Sequence, residues 1–121
     1  MMSKKILIVE DDFDTRYMLS LVLKDEGYEV VTVADGECAL AVTAEHMPDL
    51  IITDINMPRV NGIELTRSIR LKEETAQVPI LAITAYGQTT VRTALDAGAS
   101  ACARKPLVIS EFLPVIRNLL V

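Results

Sequence analysis

The sequence predicts a doubly wound α/β fold: one (βα)5 domain over residues 1–121, a five-stranded parallel sheet of order 2-1-3-4-5, and helices on both faces. Three observations carry the prediction. Five short apolar runs, most of them rich in β-branched residues, alternate with segments of helical period that are roughly ten residues long. Four of the five runs end on a polar side chain, as strands do when they deliver groups to the carboxyl edge of an open sheet. The third, Leu50-Ile51-Ile52-Thr53-Asp54-Ile55, lies between Pro48 and Pro58 and is apolar on both sides of the pleat, which marks a strand covered on both faces.

In order along the chain, Lys5-Ile6-Leu7-Ile8-Val9 is the first strand and ends on Glu10-Asp11-Asp12. From Phe13 to Glu26 the residues Met18, Leu19, Leu21, Val22 and Leu23 recur at helical spacing, and Gly27 is placed to end that helix. Glu29 to Ala34 is the second strand. Asp35 can cap a helix through Ala39, Leu40 and Val42 to about Glu45. After the Asp54 strand, Asn61-Gly62 opens a helix with Leu65 and Ile69 inward and Arg67 and Arg70 outward, closed by the charged loop from Lys72 to Gln77. Pro79 starts the fourth strand, Ile80 to Ile83, which runs into Thr84-Ala85. A helix from about Gln88 to Ala97 stops at Gly98. Ser100 to Arg104 is the fifth strand and delivers Lys105-Pro106. Phe112, Val115, Ile116, Leu119 and Leu120 form the inner face of a last helix, in which Pro114 requires a late start or a bend.

Composition narrows the function. Half the residues are apolar, enough for a substantial core, and no apolar run approaches the ~20 residues of a membrane span. With no signal-peptide pattern at the start, a cytoplasmic location is expected. Seventeen acidic against twelve basic residues leave a net charge of -5, which argues against direct contact with nucleic acid, because phosphate contacts need a basic face. Proteins and cations are the expected partners. Cys38 and Cys102 are far apart and in no metal-ligand spacing, so they read as reduced core thiols.

The polar strand ends form a constellation: Glu10 and Asp11 on the first, Asp54 on the third, Thr84 on the fourth, Lys105 on the fifth. In the 2-1-3-4-5 order the switch point lies between the first and third strands, so Asp11 and Asp54 face one another across the crevice. Clustered carboxylates repel unless a cation sits among them, and oxygen-only ligands suit Mg²⁺, which takes one or two carboxylates plus phosphate oxygens. Lys105 can hold phosphoryl oxygens as a point charge and the Thr84 hydroxyl can donate to another. Together these parts make a phosphoryl-transfer site with an aspartate as nucleophile. Other residues have plainer readings. Asp12 and Asp14 are helix caps or dipole partners, His46 a dipole partner at a helix end, and Met18 and Met57 packing.

These residues carry a resemblance over essentially the whole chain. Glu10-Asp11, then Asp54-Ile55-Asn56-Met57-Pro58, Asn61-Gly62, Thr84-Ala85 and Lys105-Pro106 together resemble the response-regulator receiver domain (CheY-like) of two-component signalling. The resemblance implies that Asp54 is the phosphoacceptor. It implies that Asp11, Asp54 and the Asn56 backbone carbonyl bind Mg²⁺, with Glu10 acting through a water. Lys105 and Thr84 would contact the phosphoryl group, and the Lys105-Pro106 peptide would be cis. The implied partners are a histidine kinase or phosphotransfer protein and a downstream protein. With no output domain after Val121, output is expected through another chain, from a stand-alone receiver that is not an enzyme in the turnover sense. One departure matters: an aromatic switch residue is common three places before the lysine, where this chain has Cys102 between Ala101 and Ala103. A cysteine could bias the output face only weakly, and Tyr86 is the nearest large ring to take over part of the reporting.

Two other functions compete. An aspartyl-phosphate phosphatase is suggested by Asp54-Ile55-Asn56, but the chain offers no second acid or cap region for turnover of an external substrate. A small flavodoxin-like nucleotide- or flavin-binding domain would need a glycine-rich loop where the first strand ends in three carboxylates.

Overall fold

The computed structural model describes residues 3–57, 60–85 and 87–121. Its elements alternate as expected: β1 (Lys5–Val9), α1 (Phe13–Asp25), β2 (Glu29–Val33), α2 (Gly36–His46), β3 (Leu50–Asp54), α3 (Gly62–Leu71), β4 (Ile80–Thr84), α4 (Gln88–Ala97), β5 (Ala101–Arg104) and α5 (Ile109–Leu119). All strand pairings are parallel and the order is β2-β1-β3-β4-β5. The expected topology is therefore the observed one.

The sheet divides two cores. Leu7, Val9, Ile51, Ile80 and Ala82 point to one face and pack under Ala39 of α2, Leu65 and Ile69 of α3 and Ala94 of α4. Ile6, Ile8, Ile52, Leu81 and Ile83 point to the other, against Leu19 and Leu23 of α1 and Phe112 and Ile116 of α5. Strands β3 and β4 are buried along their whole length, which is why their sequences do not alternate.

Local signals set the boundaries. Asp12, Asp35 and Asn61 each cap a helix by accepting a backbone N–H three residues on, from Thr15 (2.9 Å), Cys38 (2.8 Å) and Glu64 (3.0 Å). Gly27, at φ +94°, ends α1 with paired bonds from Gly27 N to Lys24 O and from Tyr28 N to Leu23 O. This left-handed turn strongly favours glycine. His46 falls in the last turn of α2, as its reading as a dipole partner requires.

Several expectations need correction. Leu21 is 51% exposed, because only Leu19 and Leu23 of α1 turn fully inward. Ser100 stands outside β5, and its hydroxyl instead accepts the Ile80 N–H at 3.1 Å. The two cysteines form no disulfide, and the core reading holds only in part: Cys102, half-buried, packs against the core, whereas Cys38 is exposed. Pro114 neither delays nor stops α5, which starts at Ile109 and continues through it. The missing N–H strands only the carbonyl of exposed Ser110, while buried Phe112 and Ile116 hold both sides of the proline in place. Arg70 does not point outward. Its guanidinium donates to Gly98 O (2.9 Å), Ala76 O (3.2 Å) and Val78 O (2.6 Å), pinning α3 to the start of β4 and the α4–β5 turn.

Candidate functional site

The turn after β1 puts Glu10 and Asp11 at the carboxyl edge, beside Asp54 at the end of β3. One carboxylate oxygen from each of the three lies within 4.8 Å of the others. Glu10 is 1% and Asp54 5% exposed, whereas Asp11 is open to solvent. Thr84, fully buried, ends β4 next to them. From beyond β5, Lys105 follows a peptide bond from Arg104 whose N–H on Lys105 donates to Thr84 O at 2.8 Å, and the Lys105-Pro106 bond is cis as expected.

The Lys105 ammonium lies 3.2 Å from Glu10 Oε1 and 3.3 Å from Asp54 Oδ2. Only the second contact has hydrogen-bond geometry, so Glu10 Oε1 is ion-paired by distance yet buried without a hydrogen-bond donor. The other oxygen, Oε2, accepts the Asp12 N–H at 3.1 Å. Asn56 N donates to Asp54 Oδ1 at 3.3 Å, which holds the acceptor carboxylate from the loop side.

Electrostatics follow from burial and crowding. Glu10 is pushed up to about 7, first by burial and then by the Asp54 carboxylate, with the Asp12 N–H working against the shift. Burial pulls the Lys105 ammonium down, but Asp54 and Glu10 outweigh it and the net shift is upward. Asp12, exposed, is held below the usual range by the Thr15 hydroxyl and N–H that it caps.

A divalent cation fits this donor set. All three groups are carboxylates with no Cys or His among them, and a buried oxygen of Glu10 is left without a hydrogen bond, which is the chemistry of a hard cation such as Mg²⁺. Among the described residues no other such group of three converges.

Every described site residue expected from the sequence lies at this edge, and Tyr86 is outside the described residues. Sequence reasoning missed Arg16. It reaches back from α1 to donate to Glu10 O at 2.8 Å, with its guanidinium over the Phe13 ring, and so fixes the turn that carries the acids. Because its acceptor is a main-chain carbonyl outside the helix, the side-chain pattern gave no signal for it.

A family model described as the response regulator receiver domain matches residues 6–117. The chain is 41% identical over 115 residues to the transcriptional regulatory protein PdtaR of Mycobacterium tuberculosis, covering 93% of this chain and 55% of that one. It thus spans about half the length of that relative. It is 32% identical over 120 residues to the polar-differentiation response regulator DivK of Brucella ovis, covering 98% of each. Its fold superposes with a TM-score of 0.91, at 31% identity and 98% coverage of both, on the receiver domain of a Pseudomonas aeruginosa sensor histidine kinase. That structure carries a magnesium ion coordinated in its active site cleft.

Proposed function

Because the chain belongs to the response regulator receiver domain family, we propose that Asp54 accepts a phosphoryl group from the phosphohistidine of a histidine kinase or phosphotransfer protein. The protein-binding surface then changes for a downstream partner. The observation that carries this reading is the convergence of Asp54 with Glu10, Asp11 and the Lys105 ammonium at one sheet edge. An Asp54 carboxylate oxygen attacks phosphorus. The O–P bond forms as the N–P bond of the donor breaks, and the electron pair goes to the departing imidazole, which takes its proton from solvent. Lys105 holds the phosphoryl oxygens as a point charge, and the Thr84 hydroxyl donates to another of them.

Asp11, Asp54 and the Asn56 carbonyl would hold Mg²⁺, with Glu10 acting through a water. The ion supplies neutralisation of the phosphoryl charge among three carboxylates. In this reading the chain takes one phosphoryl group on its own Asp54 and does not turn over an external substrate. No helix among the described residues is long and apolar enough to cross a membrane, in keeping with a cytoplasmic place of action.

Incubation with acetyl phosphate and Mg²⁺ tests the reading by intact mass. One phosphoryl group should be added, the product should vanish when Mg²⁺ is chelated, and Asp54→Asn should abolish it. Stoichiometric labelling of Asp54→Asn would sink the assignment.

A further inference from the structure

Two glycines that begin helices press against the backbone that leaves Asp54. Gly62 opens α3, and its N–H donates to Ile55 O at 2.9 Å. A Cβ added there would lie 2.4 Å from Asp54 O and 2.7 Å from Ile55 Cα. Gly36 opens α2 and lies against Val60, just before α3. A Cβ there would lie 2.4 Å from Val60 O and 2.9 Å from Val60 Cβ. Neither glycine has a positive φ, in contrast to Gly27 and Gly98, so an alanine would adopt either backbone without strain. What forbids it is space. In both cases the nearest atom is a backbone oxygen, which cannot swing aside as a side-chain tip can, so the connection itself must shift.

We propose that Gly36 and Gly62 are positioning residues for the metal site, Gly62 fixing the chain at Asp54 and Ile55 and Gly36 fixing it at Val60, so that Asp54 and the Asn56 carbonyl share one cation. The proposal rests on the receiver reading above. Its physical basis is that a ligand set on a loop holds Mg²⁺ well only if the loop is fixed, because Mg²⁺ tolerates little departure from octahedral geometry. Gly62 acts directly behind Asp54. Gly36 acts at Val60, four residues after Asn56, and its effect on a cation would be the more telling.

The test is a Mg²⁺ titration followed by the amide NMR shifts of Asp54 and Asn56, alongside thermal melting without metal. Gly36→Ala and Gly62→Ala should each raise the Mg²⁺ Kd by ~10-fold, as loss of an outer support does at metal sites. Gly87→Ala, at a glycine with nothing within 4 Å, should leave it unchanged. A folded Gly36→Ala with the parent's Kd, whatever its melting temperature, overturns the proposal. If Gly36→Ala does not fold, Val60→Ala loosens the same contact from the loop side. A raised Kd there supports the proposal and the parent's Kd refutes it. A parent that binds no Mg²⁺ while labelling at Asp54 refutes the proposal, and one that neither binds nor labels refutes the underlying reading.

Discussion

Lys105 Nζ reaches across the end of β4 to stand 3.3 Å from Asp54 Oδ2, so the lysine just past β5 rests against the carboxylate that ends β3. The ammonium occupies part of the charge-balancing role that a cation would take. Lys105→Ala should therefore leave Mg²⁺ affinity undiminished, while slowing labelling by acetyl phosphate by ~100-fold, the usual loss when one electrostatic donor to a transition state is removed. Titration and a labelling time course separate the two effects. A variant that loses Mg²⁺ affinity but labels normally contradicts the assignment.

The pH dependence has a definite sign. Glu10 holds its proton to about pH 7 when folded, against 4.5 for the ordinary side chain. Between those values the folded state binds the extra proton, so metal-free stability is greatest below pH 4.5 with respect to this group and falls as pH rises to 7. The shift of about 2.5 corresponds to a loss on the order of 3 kcal/mol. The Asp12 shift, downward from 3.8, and the Lys105 shift, upward from 10.5, act outside this window. Denaturant titrations of the metal-free protein at pH 5 and pH 8 should show the fall, Glu10→Gln should remove it, and Mg²⁺ should raise Tm more at pH 8 than at pH 5. Equal slopes for parent and Glu10→Gln would refute the account.

Arg70 should matter for stability and not for chemistry. Replacing it with Met strands the carbonyls of Val78 and Gly98, at a cost of about 2 kcal/mol, since each unsatisfied acceptor that is partly screened from water costs ~1–3 kcal/mol. Lys cannot span the same acceptors and should recover less than half of it. Chemical denaturation measures both, and labelling of Asp54 should survive in the folded fraction.

The fold was legible because each layer left its own period: apolar runs for β3 and β4, three Asx caps, and a glycine turn after α1. Asp54 was legible because a carboxylate at the end of an apolar run has few reasons to be there other than a ligand. Arg70 was not, since its acceptors are three main-chain carbonyls in two separate loops and leave no pattern in side chains. Leu21 misled for a related reason. Phe13, Tyr17 and Leu21 recur every four residues, the same spacing as a buried stripe, yet all three face solvent, and Phe13 and Tyr17 stack on one another with centroids 6.0 Å apart. The tight fit of Gly36 and Gly62 was hidden too, because Asp-Gly and Asn-Gly before a helix read as caps, and nothing local reveals what lies against the missing Cβ.

The unequal settings of the two thiols make this chain convenient for spectroscopy. Cys38 is exposed in the first turn of α2, whereas Cys102 is half-buried on β5 and its thiol is held above the ordinary range by burial. Since thiolate is the reacting form, a maleimide at neutral pH will couple to Cys38 well ahead of Cys102. A single reporter dye or spin label can thus be attached at the edge of α2 without mutating the chain. After that first thiol is blocked, a smaller reagent under more alkaline conditions can place an isotope-labelled tag on β5, beside a groove of about 250 Å³ lined in part by Leu107, Val108 and Phe112.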